Sequence, residues 1–146
     1  MKSRDYNSLE IYFFDSDLRR AAIHPARSVQ FRPGVDMYET QDALKVKIEL
    51  PGIDAERLNI TLSADDRLLH VAGERIEPES EQQERIRCYH LEIYYGAFER
   101  EINLPNGVRF DREGVSASYR DGFLVITLPK LAQNTAESRS IQVTRD

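Results

Sequence analysis

Few side chains in this sequence are able to act as nucleophile, base or metal ligand. Cys88 is the only cysteine, and His24, His70 and His90 are the only histidines. Cys88 and His90 share one face of an extended segment and have the chemistry of a thiolate couple or half a metal site, but no second cluster completes them. A lone thiol excludes an internal disulfide and leaves an intermolecular bridge, a reactive thiol or a plain buried or half-buried one. Carboxylates are abundant, yet they fall on the outward parity of strand-like runs or in loops, where raised pKa values are not expected. No G-x-S-x-G, phosphate loop or G-x-G-x-x-G occurs, and the seven glycines are isolated and read as turn or strand-end residues. Arg85, Arg87, Tyr89, Tyr94 and Tyr95 interleave cations with aromatic rings as in a single-strand stacking platform, but neighbouring glutamates and a net charge of −5 oppose nucleic acid. No catalytic residue, metal or cofactor is expected.

The elements that must position these residues belong to one domain, since 146 residues do not accommodate two cored domains and a linker. Charged residues make up 31% against 40% hydrophobic, which reads as soluble and globular. The longest apolar run, Ile11–Phe14, is far below the roughly 20 residues of a membrane-spanning helix. Asp5 and Glu10 stand where a secretory signal would begin, so a cytoplasmic location is the expectation. The basic residues are nearly all arginine, the side chain suited to interfacial ion pairs, which hints at protein partners.

By pattern the chain divides into a leader (1–32), a strand-rich block (33–130) and a polar tail (131–146). In the leader, Ile11, Phe14, Leu18 and Ala21 form one stripe at helical spacing between Ser8 as a cap and Pro25 as a stop, which predicts a short amphipathic helix. In the block, period-two runs at 44–50, 58–62, 68–72, 98–104, 115–120 and 123–128 end at turn signals such as Pro51-Gly52, Asp65-Asp66 and Asp121-Gly122. Short alternating strands without helical pattern between them predict an all-β fold, an immunoglobulin-like antiparallel β-sandwich.

Three features exceed a self-contained sandwich. Residues 77–84 carry four glutamates and no apolar side chain, a solvated excursion leading into the strand-like 85–93, which is free to pair elsewhere. Arg100 has the parity of Phe98, Ile102 and Leu104, so it either meets a carboxylate or carbonyl or snorkels to the rim. In the tail, Ile141-Gln142-Val143 sets two apolar side chains on one face, either a docking peptide or a strand folding back on its own domain.

These residues resemble the small heat-shock protein family, with 33–130 similar to its α-crystallin domain. The resemblance rests on Val35-Asp-Met-Tyr-Glu39, Val46-Lys-Ile-Glu-Leu-Pro-Gly52, Val71-Ala-Gly-Glu-Arg75 and Gly96-Ala-Phe-Glu-Arg-Glu-Ile-Asn-Leu-Pro105. Ala117-Ser-Tyr-Arg-Asp-Gly-Phe-Leu124 fits the family's A-x-x-x-D/N-G-x-L signature, and Ile141 to Val143 its terminal I-x-I/V unit. The resemblance implies an ATP-independent holdase, a homo-oligomer built from dimers that captures partly unfolded client proteins. It implies that 85–93, with Arg85, Arg87, Tyr89 and Leu91, pairs with a neighbouring subunit and that Arg100 finds its partner at that contact. It also implies that Ile141 and Val143 dock between Leu58, Ile60, Leu62 and the strand of Val115, Ser116, Ala117 and Ser118 of another dimer.

A holdase needs adaptable apolar segments that are masked at rest, and Ile11, Tyr12, Phe13, Phe14 and Leu18 are the client-binding candidates. Heating is expected to shift subunits toward dissociated states that bind clients better. The expected partners are non-native proteins and further copies of the chain, with no nucleic acid and no integral membrane insertion. One rival is a β-sandwich module that docks on a single folded partner and has no use for the terminal unit or the exchanged strand. Another is a small β-sandwich enzyme or carbohydrate binder, which would carry convergent carboxylates or a tryptophan platform; the chain has no Trp.

Overall fold

The computed structural model describes residues 11–14 and 31–132. The described residues form strands β1 (Ile11–Phe14), β2 (Val35–Glu39), β3 (Ala43–Glu49), β4 (Asn59–Ser63), β5 (Leu68–Arg75), β6 (Gly96–Asn103), β7 (Ser116–Arg120) and β8 (Phe123–Pro129), the last six on the alternating runs, with one short helix α1 (Glu79–Glu84). They form two four-stranded sheets in the orders β1-β4-β5-β6 and β2-β3-β8-β7. Every pairing is antiparallel except β1 with β4.

The sheets face each other through the apolar parity of each strand. Val46, Ile48, Ile60, Leu62, Leu69, Val71, Leu124, Ile126 and Leu128 are fully buried between them, each contributing about 1.5–3 kcal/mol of transfer free energy. The opposite parity is polar or amphipathic: Lys45 Nζ donates to Thr127 Oγ1 at 2.9 Å and Lys47 Nζ lies 4.1 Å from the centre of the Phe123 ring.

Two turns show why the sequence breaks where it does. Asp121 and Gly122 both take positive φ, at 52° and 81°, the two-residue turn that matches the twist of the β7–β8 hairpin. Between β4 and β5, Ser63 Oγ donates to Asp65 Oδ1 at 2.5 Å and accepts from the Leu68 amide at 2.9 Å. That hydrogen bond from Ser63 is the main reason the Asp65 carboxyl sits below its ordinary value.

Three expectations need correction. Ile11–Phe14 is a strand in parallel register with β4, from Ile11 opposite Ile60 to Phe14 opposite Ser63, and not the start of a helix. β-Branched and aromatic residues favour an extended chain when a sheet edge is on offer, and β4 offers one; Ser8, Leu18, Ala21 and Pro25 lie outside the described residues. The glutamate-rich excursion contains the helix α1, with Gln83 Nε2 donating to Glu79 Oε1 one turn away at 2.9 Å and acidic groups in its first turn. Gly73 lies within β5 opposite Phe98, where an added Cβ would come within 2.9 Å of that ring. Residues 85–93, which the sequence leaves free to pair elsewhere, form no ladder with either described sheet.

Candidate interaction surfaces

The excursion 76–95 leaves and re-enters the sandwich at one pinned point. Arg75 ends β5 on the inward parity of Leu69, Val71 and Gly73 and is itself buried. Its Nε donates to the Tyr94 carbonyl at 2.7 Å and its Nη1 to the Pro51 carbonyl at 3.2 Å, and its guanidinium lies 4.2 Å over the Phe31 ring. Phe31 stacks on Tyr94 with centroids 6.0 Å apart and meets Phe98 edge-on at 6.1 Å. A buried cation is tolerated here because carbonyls and a π face surround it. Reading motifs alone left Arg75 without a role; its inward parity, the signal that singled out Arg100, was there to be read.

Between those pins the chain is exposed. Arg85 Nη2 donates to Glu77 Oε1, which raises the Arg85 pKa above its ordinary value and ties the base of the segment to its start. Beyond it, Tyr89, Leu91 and Ile93 repeat every second residue and are 86%, 67% and 69% exposed. Arg87 Nη1 donates to the Tyr89 hydroxyl at 3.5 Å, and His90 pairs with Glu92 at 2.6 Å. Cys88 is exposed, neither buried nor half-buried. Apolar side chains at this density on a backbone outside both sheets make this segment a candidate association surface.

Arg100 occupies the interior parity of β6 opposite Val71 and is half-buried. Burial lowers its pKa, and the like charge of Arg32 adds to the shift. Among the described residues it makes no hydrogen bond or ion pair.

Leu58, Ile60 and Leu62 lie in the core of their own sandwich. Val115 and Ala117 are half-buried against that core, whereas Ser116 and Ser118 face solvent. Arg112 joins the two strand ends concerned: its Nη1 donates to the Ser63 carbonyl at 3.1 Å and to Asp66 Oδ1 just before β7 begins. The outer edge of β4 is taken by β1, while β7 and β2 are the outer strands of the other sheet. Met37 and Tyr38 on β2 are exposed. Ile141 and Val143 lie outside the described residues.

Nothing described gathers acid, base and nucleophile. An open cleft of about 870 Å³ is lined by Glu39, Asp42, Arg109 and Lys130, but Lys130 Nζ is satisfied by Glu39 Oε1 at 2.8 Å. No group of three metal-ligating side chains occurs among the described residues, and none of their helices is long and apolar enough to cross a membrane.

The model of the Hsp20/alpha crystallin family matches residues 36–144. Small heat shock protein C4 of Rickettsia felis is 36% identical over 75% of this chain and 63% of its own length, so the chain spans just under two-thirds of that relative. The 18.1 kDa class I heat shock protein of Pisum sativum is 36% identical over 75% of this chain and 66% of its own. Among solved structures, a small heat-shock protein from Xylella fastidiosa, described as having a distinct high order structure, superposes with a TM-score of 0.58 at 33% identity, covering 80% of this chain and 99% of that one. Heat shock protein 16.0 from Schizosaccharomyces pombe shares the fold at a TM-score of 0.62 and 24% identity, covering 79% of this chain and 100% of that one. The strand order, the pinned excursion and a family match over three-quarters of its length agree: the chain belongs to the Hsp20/alpha crystallin family, the small heat-shock proteins.

Proposed function

We propose that this protein is an ATP-independent chaperone of the holdase type, acting in the cytoplasm on partly unfolded proteins and built from dimers. The observation that carries the reading is the exposed row Tyr89, Leu91 and Ile93 on a segment that pairs with no strand among the described residues. A backbone outside both sheets needs hydrogen-bond partners, and the exposed edge of β2 on a second copy supplies them. Arg100 and the flanking Arg85 and Arg87 then gain partners at the contact. Ile11, Tyr12, Phe13, Phe14 and Leu18 are the segment offered to clients, and Ile141 with Val143 links one dimer to the next along the β4 and β7 side of the sandwich. Client capture by apolar contact requires no nucleotide and no catalytic group.

The test is light scattering from a heat-labile client at rising ratios of this protein without nucleotide, with molar mass measured on the same sample. Suppressed aggregation and a mass of at least two subunits are expected. Well-folded protein that suppresses nothing at any ratio or temperature would favour a module that docks on one folded partner.

A further inference from the structure

The excursion 76–95 has both its roots at one place, because Arg75 ends β5 directly opposite Gly96, which begins β6. Tyr94 folds back over that place. Its hydroxyl donates to the Ala97 carbonyl at 2.9 Å, and at Gly96, where φ is 137°, an added Cβ would come within 2.7 Å of the Tyr94 hydroxyl oxygen. The remaining member of the cluster comes from the leader. The half-buried Phe31 ring lies under the Arg75 guanidinium and stacks on Tyr94, so one side chain touches both the residue before the excursion and a residue near its end. Arg32, next in the chain, sets its like charge near Arg100 on β6, where it adds to the lowering of that pKa by burial. From there the backbone is fixed: Pro33 is fully buried, and the Gly34 carbonyl accepts from the Glu49 amide at 3.0 Å. Phe31 thus joins the leader to the excursion while belonging to neither sheet.

We infer that Phe31 is a positioning residue for the contact between copies, holding both roots of the 76–95 excursion so that the state of the leader sets how well 85–93 is prepared to pair. The inference rests on the proposed pairing of 85–93 with a second copy and adds the residue through which the leader acts on it. A segment held at its roots loses less freedom on association than one that swings from them, so the clamp favours the dimer without touching the partner. The seat of Phe31 is also weak enough to open, since it consists of a stacked pair and a cation–π contact at a partly exposed ring. When the ring leaves, Arg75 keeps its two carbonyl acceptors, so the sandwich stays closed while the Tyr94 ring loses its stack. The coupling runs in both directions: whatever draws the leader away weakens the contact, and the contact once made tightens the seat of Phe31. A client that pulls on the leader thereby shifts subunits toward dissociation.

The test compares the full wild-type chain with Phe31→Ala, Phe31→Leu, Phe31→Tyr and the pair Leu91→Asp with Ile93→Asp. The dimer dissociation constant is measured by dilution, and hydrogen exchange is followed at residues 31–32, 76–95 and in the core strands. Phe31→Ala should raise the constant about tenfold, the combined effect of losing one stack and one cation–π contact, and should speed exchange across 76–95 while the core strands keep their protection. Phe31→Leu keeps apolar bulk on the core without the π face and should raise the constant about threefold. Phe31→Tyr, which keeps the ring, should stay within about twofold of the wild type. Exchange at 31–32 should be slower in the wild-type dimer than in the Leu91→Asp, Ile93→Asp chain. A constant unaltered by Phe31→Ala and Phe31→Leu but raised by the aspartate pair overturns the positioning role and leaves the 85–93 contact in place. A rise that Phe31→Tyr shares, or exchange at 31–32 that is indifferent to dimer formation, also overturns it. A constant that the aspartate pair does not alter overturns the 85–93 contact, and the positioning role with it.

Discussion

β5 and residues 85–93 are both runs of alternating apolar and polar residues, and they meet opposite fates. In β5, Leu69 and Val71 vanish between two sheets, with β4 and β6 on either side. In 85–93, Tyr89, Leu91 and Ile93 stand in solvent with no neighbouring strand. Similar patterns thus yield a core strand and an exposed segment outside both described sheets, and what separates them is whether the chain itself provides an edge. Periodicity states that a strand needs partners; topology decides whose they are.

The widest separation between the two regions is expected from core truncation. Ile126→Ala removes a fully buried side chain and should destabilise the fold by about 2–5 kcal/mol, read from urea unfolding. Arg75→Met attacks the junction between the regions. It leaves the Tyr94 and Pro51 carbonyls without their donor, at about 0.5–1.5 kcal/mol for each hydrogen bond lost; faster hydrogen exchange across 76–95 than in the core would show that the pin holds the excursion. Leu91→Asp with Ile93→Asp reverses the pattern: unfolding of the sandwich should change by no more than about 0.5 kcal/mol, while the dimer dissociation constant rises by at least about 30-fold. A loss of sandwich stability as large as that of Ile126→Ala would erase the distinction between the regions. The smallest effect is that of acid on the β4–β5 turn. The Asp65 carboxyl is held below its ordinary 3.8, so its contribution to stability is present above 3.8 and is lost as the pH falls through the lower folded value. Asp65→Asn should therefore flatten the decline in stability below that pH, measured by thermal unfolding across an acid series.

The sandwich was legible because one face of each strand is buried, so alternation, turn residues and parity all point to the same register. Leu44 to Leu50 and the Asp121-Gly122 hairpin needed no information beyond the sequence. The leader misled because Ile11 and Phe14 fit a helical stripe equally well, and only the vacant side of β4 decides for a strand. The helix at Glu79–Glu84 has no apolar side chain, so no hydrophobic period announces it. Of the interaction residues, the exposure of Tyr89 and Leu91 followed from the solvated stretch before them, whereas the clamp formed by Arg75, Phe31 and Tyr94 joins residues far apart in the chain and emerges only in three dimensions.

The account's central claim is that 85–93 is a strand of another subunit's sheet. Cys88, the only cysteine, lies in this segment and is exposed, which makes it a native reporter. Wild-type chains should be mixed with mass-tagged Cys88→Ser chains carrying one new cysteine in β2, at Asp36, Met37, Tyr38 or Glu39 in turn, then allowed to exchange subunits and oxidised. The account predicts a disulfide joining the two kinds of chain from at least one β2 position, lost when Leu91→Asp and Ile93→Asp are introduced. Intact mixed dimers with no such bond from any of the four positions would contradict it.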